Sequence, residues 1–408
     1  MTPVVPFAGA SAAAPDSSPI GESGQACAQL AVVRLALSNF RSYGAMEVAM
    51  SGRPAVLAGP NGAGKTNVLD AISLLSPGRG LRGTKFSDHI RKAPQTMPSD
   101  ALWAVNATIA RDGETYEIGT GLVPSPSGSE RRLVHLNGAP AQSSADLGDV
   151  IQMIWLTPAM DRLFTESASG RRRFLDRLVL GFDAAHAQRS IRYERAMQER
   201  ARLLKFGPRD PAWLDGLESE MAEAGAAIAA ARSETVERLN RALASRGEAG
   251  AFPSAQLSLV GDVDQMLADL GDGARAGLQE RLASLRMRDA EIRRTTFGPH
   301  VSDLAVRHAE KRMDARDCST GEQKALLVSI VLADAWELTQ LRGGRAPLLL
   351  LDEIAAHLDA RRRAALFEEV LALRSQAWMT GTDISLFETL GSRADIFTVA
   401  DSELTRQD

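Results

Sequence analysis

The sequence predicts an α/β fold, and three stretches support this prediction. Residues 54–75 combine a short apolar run, a glycine-rich turn and apolar residues at helical spacing. Residues 347–353 form a continuous apolar run that ends in two carboxylates, a pattern typical of a strand buried in a parallel sheet. Residues 161–294 are predominantly helical in periodicity, which predicts an arm inserted between the two halves of the α/β unit.

The glycine-rich turn from Gly59 to Thr66 fits the pattern G-x-x-x-x-G-K-[ST] at every required position. Glycines let successive backbone N–H groups approach phosphate oxygens, and the N-terminus of the following helix favours an anion. Lys65 can reach the β- and γ-phosphates, and the Thr66 hydroxyl can ligate Mg²⁺. The turn therefore predicts an ATP site, formed by Gly59, Pro60, Asn61, Gly62, Ala63, Gly64, Lys65, Thr66 and Asn67.

The two carboxylates that end the second apolar run, Asp352 and Glu353, predict the other half of the same site. At the carboxyl edge of a parallel sheet, Asp352 would hold Mg²⁺ and Glu353 would orient or deprotonate the attacking water. Taken alone, an apolar run that ends in Asp-Glu is often an ordinary strand end. The complete phosphate loop upstream favours the functional interpretation, with Lys65 and Glu353 as the catalytic residues.

Residues 319–323, Ser-Thr-Gly-Glu-Gln, resemble the signature motif of ABC-type ATPases, an anion site at a helix N-terminus that this family uses in trans. The alternative is a plain serine-capped helix with Gln323 facing solvent. The order of phosphate loop, signature and carboxylates favours an ABC-type P-loop ATPase with an SMC-like head. The candidate residues in trans are Ser319, Gly321, Gln323 and Lys324, and Asp359 is the candidate for the D-loop.

Two further patterns divide the chain. Three short strands between residues 102 and 136, with turn signals beside them, predict an antiparallel β layer appended to the nucleotide site. Apolar residues step by three and four from Leu214 to Leu243, with an interruption at Arg232, and predict an antiparallel helical hairpin with residues 191–204. The predicted parts are a disordered extension over 1–28, the two halves of the ATPase lobe over 29–160 and 295–408, and the helical arm over 161–294.

Composition and charge limit the classes of function that this chain can have. The 408-residue chain is 44% hydrophobic and 24% charged, as expected of a globular protein. Its net charge of −4 gives no general attraction to nucleic acid, so any DNA binding must come from local basic patches. Cys27 and Cys318 lie far apart, which favours a reducing cytoplasm over a disulfide framework. No apolar run reaches membrane-spanning length.

The number of residues between the phosphate loop and the signature motif distinguishes subfamilies of ABC-type ATPases. Ser319 follows Lys65 by 319 − 65 = 254 residues, more than a compact transporter nucleotide domain needs and far fewer than an SMC protein with a long coiled coil. With this spacing, the chain resembles the RecF family of bacterial DNA replication and repair ATPases. The resemblance rests on Leu37–Tyr43, Gly59–Thr66, Arg171–Asp176, Gly298–His300, Ser319–Lys324, Leu351–Glu353 and Thr380–Asp383.

The resemblance implies a two-lobed ABC-type head with a helical arm that dimerises on DNA when ATP is bound. It implies slow, DNA-stimulated hydrolysis at a composite site, with ATP and Mg²⁺ as ligands. It further implies sequence-independent binding to duplex and gapped or junction DNA, and cooperation with RecR and RecO in loading recombinase at gaps or stalled forks. A cytoplasmic protein without a membrane partner is expected.

The resemblance also carries over to single positions. Arg41 resembles the arginine that approaches nucleotide phosphates in SMC-type heads, and Thr382 stands near the switch histidine of transporters. Val301 departs from the family, in which a basic residue usually follows the Gly-Pro-His segment. Gln152 is a candidate for the Q-loop glutamine, although it could equally be a strand residue.

Basic clusters are the candidates for DNA contact, and the alternative for each is an ordinary solvated surface. Contacts to phosphates alone would be indifferent to sequence and would weaken steeply with salt. The candidate residues are Arg171, Arg172, Arg173, Arg189 and Arg192, with Arg361–Arg363 as a further cluster.

Three other functions stay open. A transporter energy-coupling subunit would need shorter motif spacing and a switch histidine. An overcoming-lysogenization-type nuclease would need an acidic nuclease domain after Glu353, and residues 354–408 are too few for one. A scaffold that binds ATP without hydrolysis is disfavoured by the presence of Glu353.

Overall fold

The computed structural model describes residues 29–92, 103–123, 131–141, 143–207, 210–246 and 251–407. The predicted disordered extension over 1–28 lies outside these residues. The described chain forms two six-stranded sheets, one three-stranded sheet and ten α-helices. The predicted α/β fold is thus confirmed, while the part boundaries after residues 28, 160 and 294 stay predictions.

The bounds of the elements follow in chain order. The strands are β1 Leu30–Phe40, β2 Tyr43–Ala49, β3 Ala55–Ala58, β4 Ala104–Arg111, β5 Glu114–Val123, β6 Arg131–Leu136, β7 Ala139–Pro140, β8 Met153–Leu156, β9 Ala255–Val260, β10 Asp303–His308, β11 Met313–Asp314, β12 Leu348–Leu351, β13 Ala377–Gly381, β14 Asp395–Ala400 and β15 Glu403–Gln407. The helices are α1 Lys65–Ser73, α2 Leu147–Val150, α3 Ala168–Phe182, α4 His186–Phe206, α5 Pro211–Arg246, α6 Asp262–Leu270, α7 Ala274–Ser284, α8 Arg286–Ile292, α9 Thr320–Leu341 and α10 Ala360–Ala372.

The first sheet is the antiparallel β layer that the sequence predicts. Its strands pair in the order β2-β1-β4-β5-β6-β7. Alternation of small or apolar with polar residues along β4 turns Val105, Ala107 and Ile109 inward, as expected when one face of a sheet is covered.

The second sheet contains the predicted parallel strands, in the order β15-β14-β3-β13-β12-β8. All neighbouring pairs from β14 to β8 are parallel, and only β15 returns antiparallel to β14. The four leucines of β12 are all buried, as a central parallel strand requires. Helix α1 joins the two sheets, because Val68, Leu69 and Ile72 pack into one core with residues of both.

The predicted helical hairpin is formed by α4 and α5, which run antiparallel and pack on each other. The outer half of α5 shares a separate arm core with Tyr193, Leu278 and Leu282. The inner half packs with α9 and the parallel sheet through Val236 and Leu239. The arm therefore has its own core at the far end and shares the core of the ATPase lobe at its base.

One strand lies inside the stretch whose periodicity is predominantly helical. Strand β9 pairs antiparallel with β10, which pairs with β11 in the third sheet. Its two-residue alternation buries Ala255 and Leu257 and exposes Gln256 and Ser258, a short signal that the longer helical pattern around it hides. The apolar segment over 150–156 is only partly a strand, because α2 occupies the residues up to Val150 and β8 begins at Met153.

Candidate functional site

Three parallel strands bring the predicted site residues to one edge of the sheet. Strand β13 pairs with β3 on one side and with β12 on the other, so their carboxyl ends lie side by side. The phosphate loop leaves β3, the two carboxylates follow β12, and Thr380 lies near the end of β13. Ligands of open α/β sheets bind at this edge.

Glycine is required at two positions of the phosphate loop. A Cβ on Gly59 would lie 2.1 Å from the Val399 carbonyl oxygen, so no side chain fits there. Gly64 has a left-handed φ of 110°, and a Cβ there would lie 2.8 Å from the Tyr43 hydroxyl. The loop is thus packed tightly against the strands behind it, and its backbone can turn toward a phosphate only with these two glycines.

Lys65 begins α1, and its side chain turns back across the loop. The Nζ donates hydrogen bonds to the carbonyl oxygens of Gly59 at 2.7 Å and Pro60 at 2.8 Å. Burial lowers the pKa of Lys65, while the charges of Glu353 and Asp352 act in the opposite direction. The ammonium therefore lies in the concave side of the loop, where a bound phosphate would contact it.

Asp352 is buried and joins the phosphate loop to the sheet. Its Oδ1 accepts hydrogen bonds from the Thr66 hydroxyl at 2.9 Å and the Thr380 hydroxyl at 2.7 Å. Burial nevertheless raises the pKa of this carboxyl. A hydroxyl and a carboxylate in contact are hard oxygen donors that suit Mg²⁺, with phosphate and water oxygens as the remaining ligands. The residues therefore fit the ion predicted for this position.

Glu353 is held in a strained conformation beside that pair. Its φ is 51°, a left-handed value that non-glycine residues adopt mainly where surrounding contacts enforce it. The Glu353 N–H donates to the Thr380 hydroxyl at 2.8 Å. Thr380 thus bonds both acidic residues, although sequence analysis placed the switch at Thr382, which is exposed two positions later. The parallel pairing of β13 with β12 brings Thr380, the first residue of the Thr380–Asp383 segment, to the site.

Two arginines flank α1 next to the phosphate loop. Arg41 has a φ of 52°, and its Nε donates to Asp70 Oδ2 at 2.9 Å. Arg82, which the sequence analysis missed, lies 3.5 Å from the same oxygen and 3.4 Å from Asn67 Oδ1. Its charge also acts on Asp352, where it opposes the rise in pKa caused by burial. Two cations therefore share one buried carboxylate at this edge.

The signature residues divide into exposed and buried groups. Ser319 is exposed and caps α9 in a capping box with Glu322, and Gly321 is exposed in the first turn. Gln323 does not face solvent, because its Nε2 donates to the Cys318 carbonyl at 2.9 Å. Lys324 is also buried, with Nζ 3.3 Å from Asp161. Only the first two are presented at the surface.

The outward residues of the signature make no hydrogen bond to the phosphate loop of the same chain within the described residues. Glu322 instead takes an ion pair with Lys311. Asp359, the D-loop candidate, is exposed and caps α10 by accepting from the Arg362 N–H at 2.9 Å. These positions are surface groups at helix N-termini, and a role in trans stays a prediction.

Most arginines predicted to contact DNA are engaged in intramolecular contacts. Arg171 makes two 2.8 Å hydrogen bonds to Asp303, and Arg172 donates to the Ser302 carbonyl at 2.7 Å. Arg189 and Arg192 form ion pairs with nearby carboxylates. Arg173 is exposed and has no bonding partner among the described residues. A structural role therefore explains four of the five, because three pair with carboxylates and Arg172 is bonded to a carbonyl oxygen.

Gln152 is wrong as the Q-loop candidate. It lies immediately before β8, and its carbonyl oxygen accepts from the Leu348 N–H at 2.8 Å. Because β8 and β12 are parallel and Leu156 pairs with Leu351 next to the carboxylates, Gln152 lies at the opposite edge of the sheet. The residues that leave β8 toward the nucleotide edge begin at Thr157.

The fold and the site together define a P-loop protein with an SMC-type head. The family model described as RecF/RecN/SMC N terminal domain matches residues 31–403. The DNA replication and repair proteins RecF of Rhizobium etli (strain CIAT 652) and Agrobacterium fabrum (strain C58) are each 49% identical over 381 residues, which is 92% of this chain and 99% of theirs. The chain belongs to the RecF family of DNA replication and repair proteins.

Solved structures agree on the fold. The recombination mediator protein RecF with ATP, of the RecFOR pathway, superposes with a TM-score of 0.80 at 21% identity and covers 95% of this chain and 100% of that one. An SMC head bound to the C-winged helix domain of ScpA gives a TM-score of 0.53 at 18% identity, over 93% and 98% of the two chains. Of the described helices, none is sufficiently long and apolar to cross a membrane.

Proposed function

We propose that this protein is an ATP-dependent DNA-binding protein of replication and repair, which dimerises on DNA with ATP at the interface and hydrolyses ATP slowly. The observation that carries the proposal is the bonded set Thr66, Asp352 and Thr380, which joins the phosphate loop to the catalytic edge of the sheet. This arrangement suits a nucleoside triphosphate, because it places hydroxyl, carboxylate and ammonium groups around one position.

The roles of the individual residues follow from their positions. Lys65 and the loop N–H groups would bind the β- and γ-phosphates, and Thr66 with Asp352 would hold Mg²⁺, which neutralises phosphate charge. Glu353, fixed by its N–H bond to Thr380, would accept a proton from the attacking water. Arg82 lies near enough to act on Asp352 electrostatically and would add a cation beside the triphosphate.

Exposure of Ser319 and Gly321 supports dimerisation through ATP. These residues form an anion-binding helix end that is free to meet the phosphates of a second subunit. Gln323 and Lys324 would then act by fixing that helix end, since both are bonded internally. The names of the similar proteins, which refer to DNA replication and repair and to the RecFOR pathway, support DNA as the polymer bound and RecR and RecO as partners. Loading of recombinase with these partners is part of the proposal.

The test measures the binding of gapped duplex DNA and the molecular mass in parallel, with and without Mg-ATP. Lys65→Met removes the phosphate contact, and Glu353→Gln keeps binding but slows hydrolysis. Glu388→Gln is the matched control, because Glu388 is exposed in the same lobe. We expect Glu353→Gln to hold an ATP-dependent dimer on DNA, Lys65→Met to lose both, and the control to match the wild type. The proposal would be refuted if ATP changed neither the molecular mass nor the DNA affinity of the wild type.

A further inference from the structure

A basic cleft opens on the arm, separate from the residues of the nucleotide edge. It has a volume of about 530 Å³, within the range of ligand sites, and lies between α4, α8 and the segment that follows α8. Arg288, Arg293 and Arg294 line it, together with hydroxyl, amide and apolar groups. No Asp or Glu belongs to the described lining, so the cleft has a single sign of charge.

The three arginines are exposed and unpaired. Among the described residues, no carboxylate oxygen lies within 4 Å of their side-chain nitrogens. Arg286, on the same helix, shows the contrast, because it is paired with both Asp215 and Glu218. Other arm arginines are also paired, namely Arg192, Arg200, Arg202, Arg232, Arg238 and Arg275. The cleft therefore differs from these positions, because it brings three arginines without a carboxylate partner to one place.

A buried carboxylate fixes the turn that carries two of these arginines. Asp289 accepts from the N–H of Thr296 at 3.1 Å and its hydroxyl at 2.7 Å, and from Arg200 at 2.7 Å. Its backbone carbonyl also accepts from the Arg294 N–H at 3.2 Å. Arg293 has a left-handed φ of 57°, which an arginine adopts only where such contacts hold it. Asp289 thus fixes the conformation of the turn, and both of its carboxylate oxygens already accept hydrogen bonds.

Unpaired guanidinium groups match the geometry of phosphate oxygens better than any other side chain, and here two of them are carried on an ordered turn. Met197, Ala201 and Val301 supply an apolar wall beside them, which suits the sugar of a phosphodiester strand more than a bare ion. We propose that this cleft binds the phosphodiester backbone of DNA, as a contact made by the arm. The inference rests on the DNA binding in the proposed function and names one place where it occurs.

The experiment compares two double variants of the full-length protein with the same loss of charge. Arg293→Gln/Arg294→Gln removes two guanidinium groups from the cleft. Arg241→Gln/Arg374→Gln is the control, because Arg241 is exposed and Arg374 shares the left-handed backbone of Arg293, with a φ of 54°. Duplex DNA affinity is measured with Mg-ATP over a range of salt concentrations, and unfolding is followed to confirm that both variants fold.

Each lost phosphate contact reduces the magnitude of the slope of log affinity against log salt concentration by about 0.9. The slope of the cleft variant should therefore be smaller in magnitude than that of the wild type by about 2, and the control should have the wild-type slope. Equal slopes for all three proteins would overturn the inference and leave the proposed function standing. A wild type that binds no DNA would overturn both. If inorganic phosphate stabilises the wild type but not the cleft variant while the DNA slopes agree, the cleft is a small-anion site, which also overturns the inference.

Discussion

The nucleotide edge and the arm each contain a buried charged side chain, and the surroundings of these two side chains differ. In the arm, Arg200 is completely enclosed and is bonded to Glu218, Asp289 and the Leu282 carbonyl. At the nucleotide edge, Asp352 is buried with two hydroxyl partners and no cation within salt-bridge distance among the described residues. The charge of Arg200 is balanced by neighbouring carboxylates, whereas the charge of Asp352 is compensated only by hydroxyl groups.

The pKa shifts express the same difference. Burial raises the pKa of Asp352, and the hydroxyl hydrogen bonds only oppose that rise. Burial also acts to raise the pKa of Asp176 in the arm, but hydrogen bonds from His186 and Arg232 outweigh it and leave the pKa lowered. A buried charge with too few partners marks a place where a ligand can bind, whereas a fully paired one marks structure.

The largest effect that tests this comparison is expected from Arg200→Met. The substitution leaves Glu218 and Asp289 buried with fewer partners, which should lower the free energy of unfolding by about 3–5 kcal/mol, as measured by urea denaturation. Arg202→Met is the control, because Arg202 is an exposed arginine of the same helix, paired with Glu199. If the two variants unfold at the same urea concentration, the buried network does not stabilise the arm.

At the nucleotide edge, Thr380→Val should affect activity more than stability. The substitution keeps the shape of the side chain but removes the hydroxyl that bonds Asp352 and the Glu353 N–H. Groups that orient metal ligands typically contribute 10–100-fold, so we expect single-turnover ATP hydrolysis to slow by about that factor. Thr382→Val, at an exposed position, should hydrolyse at the wild-type rate. A slow Thr382→Val beside a Thr380→Val that hydrolyses at the wild-type rate would show that Thr382, as the sequence predicts, is the switch position.

A smaller effect distinguishes paired from unpaired arginines. Arg171→Gln breaks the double hydrogen bond to Asp303, which is partly exposed, and should reduce the free energy of unfolding by about 1 kcal/mol. The salt dependence of DNA binding should not change, because this guanidinium is already neutralised. Arg173→Gln, its exposed neighbour without a partner, is the control for stability and should unfold like the wild type. A reduced salt slope without a loss of stability in Arg171→Gln would restore it as a DNA contact.

The parts of the site that are local in the chain are predictable from the sequence. The phosphate loop lies within eight consecutive positions, and the carboxylates directly follow an apolar strand, so each motif contains its own context. The roles of Thr380 and Arg82 could not be found in this way, although Thr380 begins one of the segments that carry the family resemblance. One depends on the parallel pairing of β13 with β12, and the other on a glycine-containing turn that packs on α1 through the hydrogen bond from the Leu81 N–H to Ser73.

The arm shows the same limit for charges. Helical spacing correctly placed Arg232 on the inward face of α5, where it appeared only as an interruption of the apolar stripe. Its partner, Asp176, lies 56 positions earlier on α3, and only the packing of the two helices brings them within 2.8 Å. The basic run at 171–173 had the composition of a DNA contact, but the acceptors Asp303 and Ser302 lie at the start of β10, far away in the chain. Composition therefore predicts where charged residues occur in the chain, and the tertiary structure determines whether their side chains are paired.

The smallest expected effect concerns His300, which lines the basic cleft. Burial lowers the pKa of His300 below its usual 6.5, and the charges of Arg172 and Arg232 act in the same direction, against the hydrogen bond to the Thr295 carbonyl. Below pH 6.5 the unfolded chain therefore takes up a proton that the folded chain still excludes. The contribution of His300 to stability should be complete above that pH and should decrease as the pH falls toward its folded pKa.

Urea unfolding at several pH values measures this contribution as the difference between the wild type and His300→Gln. The difference should shrink as the pH falls below 6.5, because only the wild type has a histidine at this position that must stay neutral. His135→Gln removes a histidine from the β layer and controls for the number of histidines. A difference in the free energy of unfolding that grows as the pH falls would mean that His300 becomes charged in the folded arm. An anion would then be needed to balance the charges of His300, Arg172 and Arg232.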